Sequence, residues 1–260
     1  MAPRGRGRAA AFALAALVAC ATGALEDAGH APGTPRDGPH PARLAARPRP
    51  APGRPVEPGL REVSFGRGRT SYLYVPRTYD PTQPAPFVLM LHGAGGNSRK
   101  AIGLFLGRAD ELGAILFAPQ SRGPTWDLTL GGYGADVDYI DRSLRRLFGR
   151  LSIDPRAVAI EGFSDGASYA LSLGLTNGDL FRHVVALSPG FMAPGPTHGR
   201  PRVFVAHGRR DGVLPLETTS EAIVVRLRDA GYDVTFLVHA DGHSPLPRLQ
   251  EALDWLSAGA

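Results

Sequence analysis

The sequence predicts an α/β protein, a mostly parallel central sheet with helices on both faces, and three observations carry that prediction. Phe87-Val88-Leu89-Met90-Leu91 and Ala114-Ile115-Leu116-Phe117-Ala118 are continuous apolar runs, as expected of strands covered on both faces rather than on one. An amphipathic stretch, Arg99 to Leu112, separates them in the rhythm of a strand, a crossover helix and a parallel strand. Finally, the residues able to do chemistry fall just after such runs, where open parallel sheets bind their ligands.

The elements follow in order. Glu62 to Phe65 and Thr70 to Val75 alternate as an antiparallel pair joined through the Gly66-Arg67-Gly68 turn. The strand at 87–91, the helix at 99–112 and the strand at 114–118 come next, then a long glycine-containing loop from Gln120 to Gly134 and a helix over Val137 to Leu151. Ala157-Val158-Ala159-Ile160 reads as the central strand, Ala167 to Leu175 as the helix after it, and His183 to Leu187 as another strand. Strand 203–206, helix 217–230, strand 234–238 and helix 247–256 close the chain. The Pro/Gly segment between Leu187 and Val203 is too short for a helical cap, so no large cap domain and an open cleft are expected.

That pattern occupies residues 61–260. In residues 1–20, Arg4, Arg6 and Arg8 precede an apolar stretch, Ala9 to Ala19, of signal-peptide length and too short to span a bilayer. Its end, Leu17-Val18-Ala19-Cys20, resembles the lipobox of bacterial lipoproteins, whose cysteine is lipidated; Ala19-Cys20-Ala21 also fits an ordinary A-x-A cleavage site. Cys20 is the single cysteine, so an internal disulfide is excluded, and a lipid on it would make the membrane a partner. Residues 21–60, rich in Pro, Ala, Gly and Arg with few large apolar side chains, read as a disordered tether. The net charge of +5 is concentrated in these first sixty residues; the rest is nearly balanced, and nucleic acid is not an expected partner.

Gly162-Phe163-Ser164-Asp165-Gly166 lies at a strand-to-helix junction, the setting of a nucleophile elbow, where a serine is raised on a strained turn and its neighbours must be small. With 33 glycines in the chain the motif alone is weak, and its surroundings decide its meaning. Asp211 follows a later strand and His243 the last one. A serine needs a base to become a nucleophile, imidazole suits that task, and a carboxylate orients the ring. Asp211 is preferred as the acid over Asp233, which precedes a strand, and over Asp241, which shares the loop of His243.

With the order Ser164, Asp211, His243, and with Leu91-His92-Gly93, His207-Gly208 and Pro215, residues 61–260 resemble a serine esterase of the α/β-hydrolase superfamily. The neighbourhood is that of the phospholipase/carboxylesterases and of the polyester-depolymerase and feruloyl-esterase-like proteins. The resemblance implies cleavage of small-molecule or polymeric carboxylic esters or thioesters through an acyl-enzyme, with no cofactor and no metal. It also implies an oxyanion hole from the backbone N–H groups of Ala94 and Asp165. The glycines around Ala94 do not spell a phosphate loop, and His239 with His243 lacks the pattern of a metal site. Trp126 and Tyr133 either wall the substrate pocket or pack their loop against the domain. His92 and His207 are expected to hydrogen-bond their loops, and His183 has no evident chemical partner. A peptidase or amidase on the same fold, and a noncatalytic surface-binding lipoprotein, are the alternatives; the unbroken set of three residues disfavours the latter.

Overall fold

A computed structural model describes residues 40–49, 53–66 and 68–258 of the protein. The export signal, Cys20 and the first part of the expected tether lie outside the described residues. The strands are β1 (Gly59–Val63), β2 (Ser71–Val75), β3 (Ala85–Leu91), β4 (Ile115–Ala118), β5 (Ile153–Phe163), β6 (His183–Leu187), β7 (Arg202–Gly208) and β8 (Val234–His239). They form one sheet in the order β1-β2-β4-β3-β5-β6-β7-β8. Strands β3 to β8 are parallel, β2 runs antiparallel to β4, and β1 antiparallel to β2. The chain winds from β3 outward to β4 on one side and from β5 to β8 on the other. The crevice between those two directions opens at the carboxyl ends of β3 and β5, where ligands bind in such sheets.

The helices are α1 (Ser98–Leu106), α2 (Ala109–Leu112), α3 (Ala135–Phe148), α4 (Asp165–Thr176), α5 (Ala222–Asp229) and α6 (Leu249–Ala258). Apolar residues of α3, α4 and α5 pack on one face of the sheet with Leu89, Val158 and Ile160; those of α1, α2 and α6 pack on the other with Val88, Met90 and Phe204. The helix expected over 99–112 is broken between Leu106 and Ala109, which lets Phe105 and Ala109 both enter the core. The helix expected from 217 opens with a wide π turn, Glu217–Glu221, before α5 begins.

The expected tether is too long. Residues 40–47 form a strap that belongs to the folded domain, with Ala42, Leu44 and Ala46 almost fully buried. An irregular segment needs partners for its backbone, and side chains far along the chain supply them. Leu44 N–H donates to Asn177 Oδ1 at 2.9 Å, Ala45 and Ala46 N–H donate to Asp141 Oδ1 at 2.7 and 2.8 Å, and the Asn177 amide donates to the Ala42 carbonyl at 2.9 Å. Arg43 and Arg47 both bond Asp179 at 2.6 Å, and these two cations hold its carboxyl well below the usual carboxylate range. Arginines that look like part of a charged tail are therefore ion-pair partners of the fold.

Strand β5 extends past the apolar run 157–160 through Glu161, which is wholly buried between Met90 of β3 and Val185 of β6 in register. Neither of its carboxyl oxygens has a hydrogen-bond partner among the described residues, and burial pushes its proton affinity well up. An unpartnered buried polar group costs roughly 1–3 kcal/mol. Replacing Glu161 with Leu should therefore raise stability by about that much. The sign with pH follows from the raised folded value: above the ordinary Glu pKa of about 4.3 the unfolded chain releases a proton that the folded one keeps, so stability falls as pH rises. Thermal melts of both proteins from pH 4 to 8 check this, with the Leu variant lacking that part of the fall.

Candidate active site

Ser164 sits between β5 and α4 with φ 57° and ψ −122°. Among the described residues only Ser164 and Ser188 combine a side chain with a positive φ, the left-handed strain typical of functional turns. The two flanking glycines are required by contact: a Cβ on Gly162 would collide with the Gly166 carbonyl, and one on Gly166 with the Leu91 carbonyl. The turn is tied to the sheet by Ser164 N–H donating to the Leu187 carbonyl at 2.8 Å, while Ser164 O accepts from Ala167 and Ser168 of α4.

The structure brings together the three residues that the sequence separates by 79 and 32 positions. His243 Nε2 lies 2.9 Å from Ser164 Oγ, and His243 Nδ1 lies 2.6 Å from Asp211 Oδ2. Because a carboxylate only accepts, Nδ1 carries the proton and the Nε2 lone pair faces the hydroxyl. Phe163 stacks at a tilt on the imidazole, 4.7 Å between centroids, and steadies the ring's plane. The Asp211 side chain is fully buried, whereas Ser164 and His243 are partly open to solvent. Burial alone would raise the Asp211 carboxyl; the Leu214 N–H, His243 and the Val213 N–H outweigh it and hold the group below the ordinary carboxylate value. Both backbone bonds, to Oδ1, are 2.9 Å.

Around this core the loops are pinned. His92 Nδ1 donates to the Gly93 carbonyl at 2.8 Å and its Nε2 accepts from Ser121 N–H at 3.2 Å, a neutral ring that burial favours by lowering its proton affinity. Together with Gly95 N–H on the Pro124 carbonyl at 2.7 Å, it locks the loop after β3 to the loop after β4. Ala94 and Gly95 stand exposed at the crest of the first loop, and Asp165 begins α4. The Asp165 carboxylate is buried and accepts from Thr125 Oγ1 at 2.6 Å, which ties it into the loop after β4.

Trp126 does not line a cleft. It is fully buried, donates through Nε1 to the His92 carbonyl at 2.8 Å, and stacks on Tyr169 of α4 at 5.1 Å. A tryptophan in a glycine-containing loop has a large apolar surface to hide, and here the helix face beneath offers the place. Tyr133 likewise packs on Tyr169 and on His40 of the strap, with its hydroxyl donating to the Ala193 carbonyl at 2.6 Å. It thus clasps the 120–134 loop to the segment after β6. His183 is buried edge-on against Trp255.

Sequence reasoning missed the residues that hold the segment after β6. Ser168, Ser172 and Thr176 recur every four residues along α4; their hydroxyls donate back along the helix to the carbonyls of Ser164, Ser168 and Ser172. The same oxygens accept the N–H groups of Gly190 and Phe191 (3.0 and 3.3 Å), Ala193 (2.9 Å) and Gly195 (2.9 Å). The signal was a polar stripe at helical spacing in a helix buried all round. No helix forms between 188 and 201.

Comparison with known proteins agrees with this architecture. The chain is 30% identical over 241 residues to NocK of Nocardia uniformis subsp. tsuyamanensis, which is named as an esterase, covering 83% of this chain and 67% of that protein. It is 29% identical over 167 residues to feruloyl esterase C of Emericella nidulans, covering 61% of this chain and spanning 60% of the relative's length. Among solved structures, esterase PE8 is 22% identical with a TM-score of 0.60, covering 72% of this chain and 97% of that one. The acetyl xylan esterase from Aspergillus awamori is 18% identical with a TM-score of 0.61, covering 76% and 98%. No family model matches.

Proposed function

Because the chain belongs to the serine esterases of the α/β-hydrolase superfamily, we propose that it cleaves carboxylic esters or thioesters with Ser164 as nucleophile, His243 as base and Asp211 as the acid that orients His243. The single observation that carries this reading is the continuous line from Ser164 Oγ to His243 Nε2 and from His243 Nδ1 to Asp211 Oδ2, at 2.9 and 2.6 Å, on a strained elbow. As Oγ bonds to the acyl carbon, its proton passes to Nε2; the imidazolium then returns that proton to the leaving alkoxide or thiolate as the bond to it breaks. Water repeats the sequence on the acyl-enzyme, with Nε2 taking its proton and the acid leaving Ser164 free.

The developing oxyanion would be met by the N–H groups of Ala94 and Asp165. Neither donates to another acceptor among the described residues, and Asp165 N–H lies at the positive end of α4. Since relatives include a feruloyl esterase, a feruloyl ester is the first substrate to assay. If His243 is the base, kcat/KM should rise from acid toward neutral pH, because only an unprotonated ring can take the Ser164 proton. The check is the rate of a chemistry-limited ester from pH 5 to 8, and a flat profile would sink the assignment.

Export rests on the Arg-rich start and the apolar stretch ending at Cys20, and a lipid on Cys20 would anchor the protein. The mass of the mature N-terminus tests the anchor against ordinary cleavage.

A further inference from the structure

We propose that His207 is a positioning residue for ester hydrolysis, holding the Asp211 carboxylate against His243 through a ring tautomer that Ser220 fixes. The inference rests on the roles assigned above to Ser164, His243 and Asp211.

His207, next to the end of β7, is fully buried. Its Nε2 lies 2.9 Å from the Leu214 carbonyl and 3.2 Å from Asp211 Oδ2, and its Nδ1 lies 2.6 Å from Ser220 Oγ in the π turn. Both neighbours of Nε2 can only accept, so Nε2 carries the proton; Nδ1 of the neutral ring then accepts from the Ser220 hydroxyl. Burial, which lowers the ring's proton affinity, outweighs the bond to the Leu214 carbonyl and the nearby charge of Asp211, which would raise it, and favours that neutral form.

Asp211 Oδ2 accepts from His243 at 2.6 Å and lies 3.2 Å from His207 Nε2, whose N–H donates to the Leu214 carbonyl, while Oδ1 takes the N–H groups of Val213 and Leu214. Leu214 acts twice, donating to Asp211 and accepting from His207, which ties the 211–214 turn to β7. The carboxylate is held against rotation from both oxygens. The other titratable groups nearby are His239 at the end of β8, whose affinity burial also lowers, and, around it, Asp241, Arg248 and Glu251. None of these donates a hydrogen bond to Asp211 among the described residues.

Removing the His207 donor has two consequences. The 211–214 turn loses its tie to β7, and Oδ2 loses the polar ring beside it, so that the carboxylate's charge falls more heavily on His243. The test compares His207→Ala, His207→Gln and Ser220→Ala with wild type by kcat and KM across pH 5–9, with thermal melts and fluorophosphonate labelling of Ser164. The Ala variant should lose on the order of tenfold to a hundredfold in kcat with little change in KM. Its acidic limb should move to higher pH. Gln, whose amide can donate from the place of Nε2, should restore the limb and most of the rate. Ser220→Ala, which frees the tautomer, should fall between. A folded Ala variant with wild-type kcat and limb would overturn the proposal, as would Gln and Ala variants equally slow with unshifted limbs. If the Ala variant fails to fold, the Gln and Ser220→Ala profiles decide, and unshifted limbs with unchanged kcat in both would overturn it. Failure of the underlying reading is visible separately, in a wild-type enzyme whose Ser164 does not label.

Discussion

Ser164→Ala should lower the rate of ester hydrolysis by about 10⁴-fold or more while the protein melts at nearly the wild-type temperature. The loss is large because the hydroxyl is the atom that bonds to the acyl carbon, and no other hydroxyl stands within a hydrogen bond of His243 Nε2 among the described residues. The fold should tolerate the change because the elbow is built without the hydroxyl: Ser164 contributes its backbone N–H and carbonyl to Leu187 and to α4, and its Oγ bonds only His243. Initial rates on a feruloyl ester together with a thermal melt decide it. Near-normal turnover in a well-folded variant would remove Ser164 from the mechanism.

The second large effect concerns the strap. A chain begun at residue 50 should be poorly soluble or should melt roughly 10–20 °C below one begun at residue 40. Losing residues 40–49 uncovers the surface that buries Leu44, worth roughly 2 kcal/mol, and strips partners from Asn177 and Asp141 inside the domain, at roughly 1–3 kcal/mol for each group left unpaired. Against a total stability of about 5–15 kcal/mol, such a sum is felt. Equal melting temperatures for the two chains would show that the strap is dispensable.

That result would also mark where sequence reasoning stops. The sheet and its helices were legible because each buried parallel strand is a continuous apolar run and each crossover helix carries its own period, both local properties. The candidate site was legible because Ser164, Asp211 and His243 each follow such a run and keep a recognisable order. The strap was not, since Leu44 and Arg43 meet Asn177 and Asp179 across more than 130 residues, and an Ala/Arg/Pro segment looks the same whether or not a partner waits for it. Trp126 was ambiguous for a related reason: the residue announces that it needs burial, and only the position of Tyr169 says on which side. Glu161 ended the apparent strand early because a carboxylate in a core is the exception that periodicity is built to reject. His207 carried a signal that could have been used, a histidine four residues before the acid, but its meaning depends on Ser220 and Leu214.

The hydroxyl stripe on α4 has a consequence for how the segment after β6 can move. Ser168, Ser172 and Thr176 hold N–H groups of residues 190–195 on the same helix whose first turn follows the nucleophile. A displacement of that segment therefore either breaks these hydrogen bonds or is passed to the helix that begins at Ser164. Substituting the three hydroxyls would free the segment, whereas trimming its own side chains would leave it fastened.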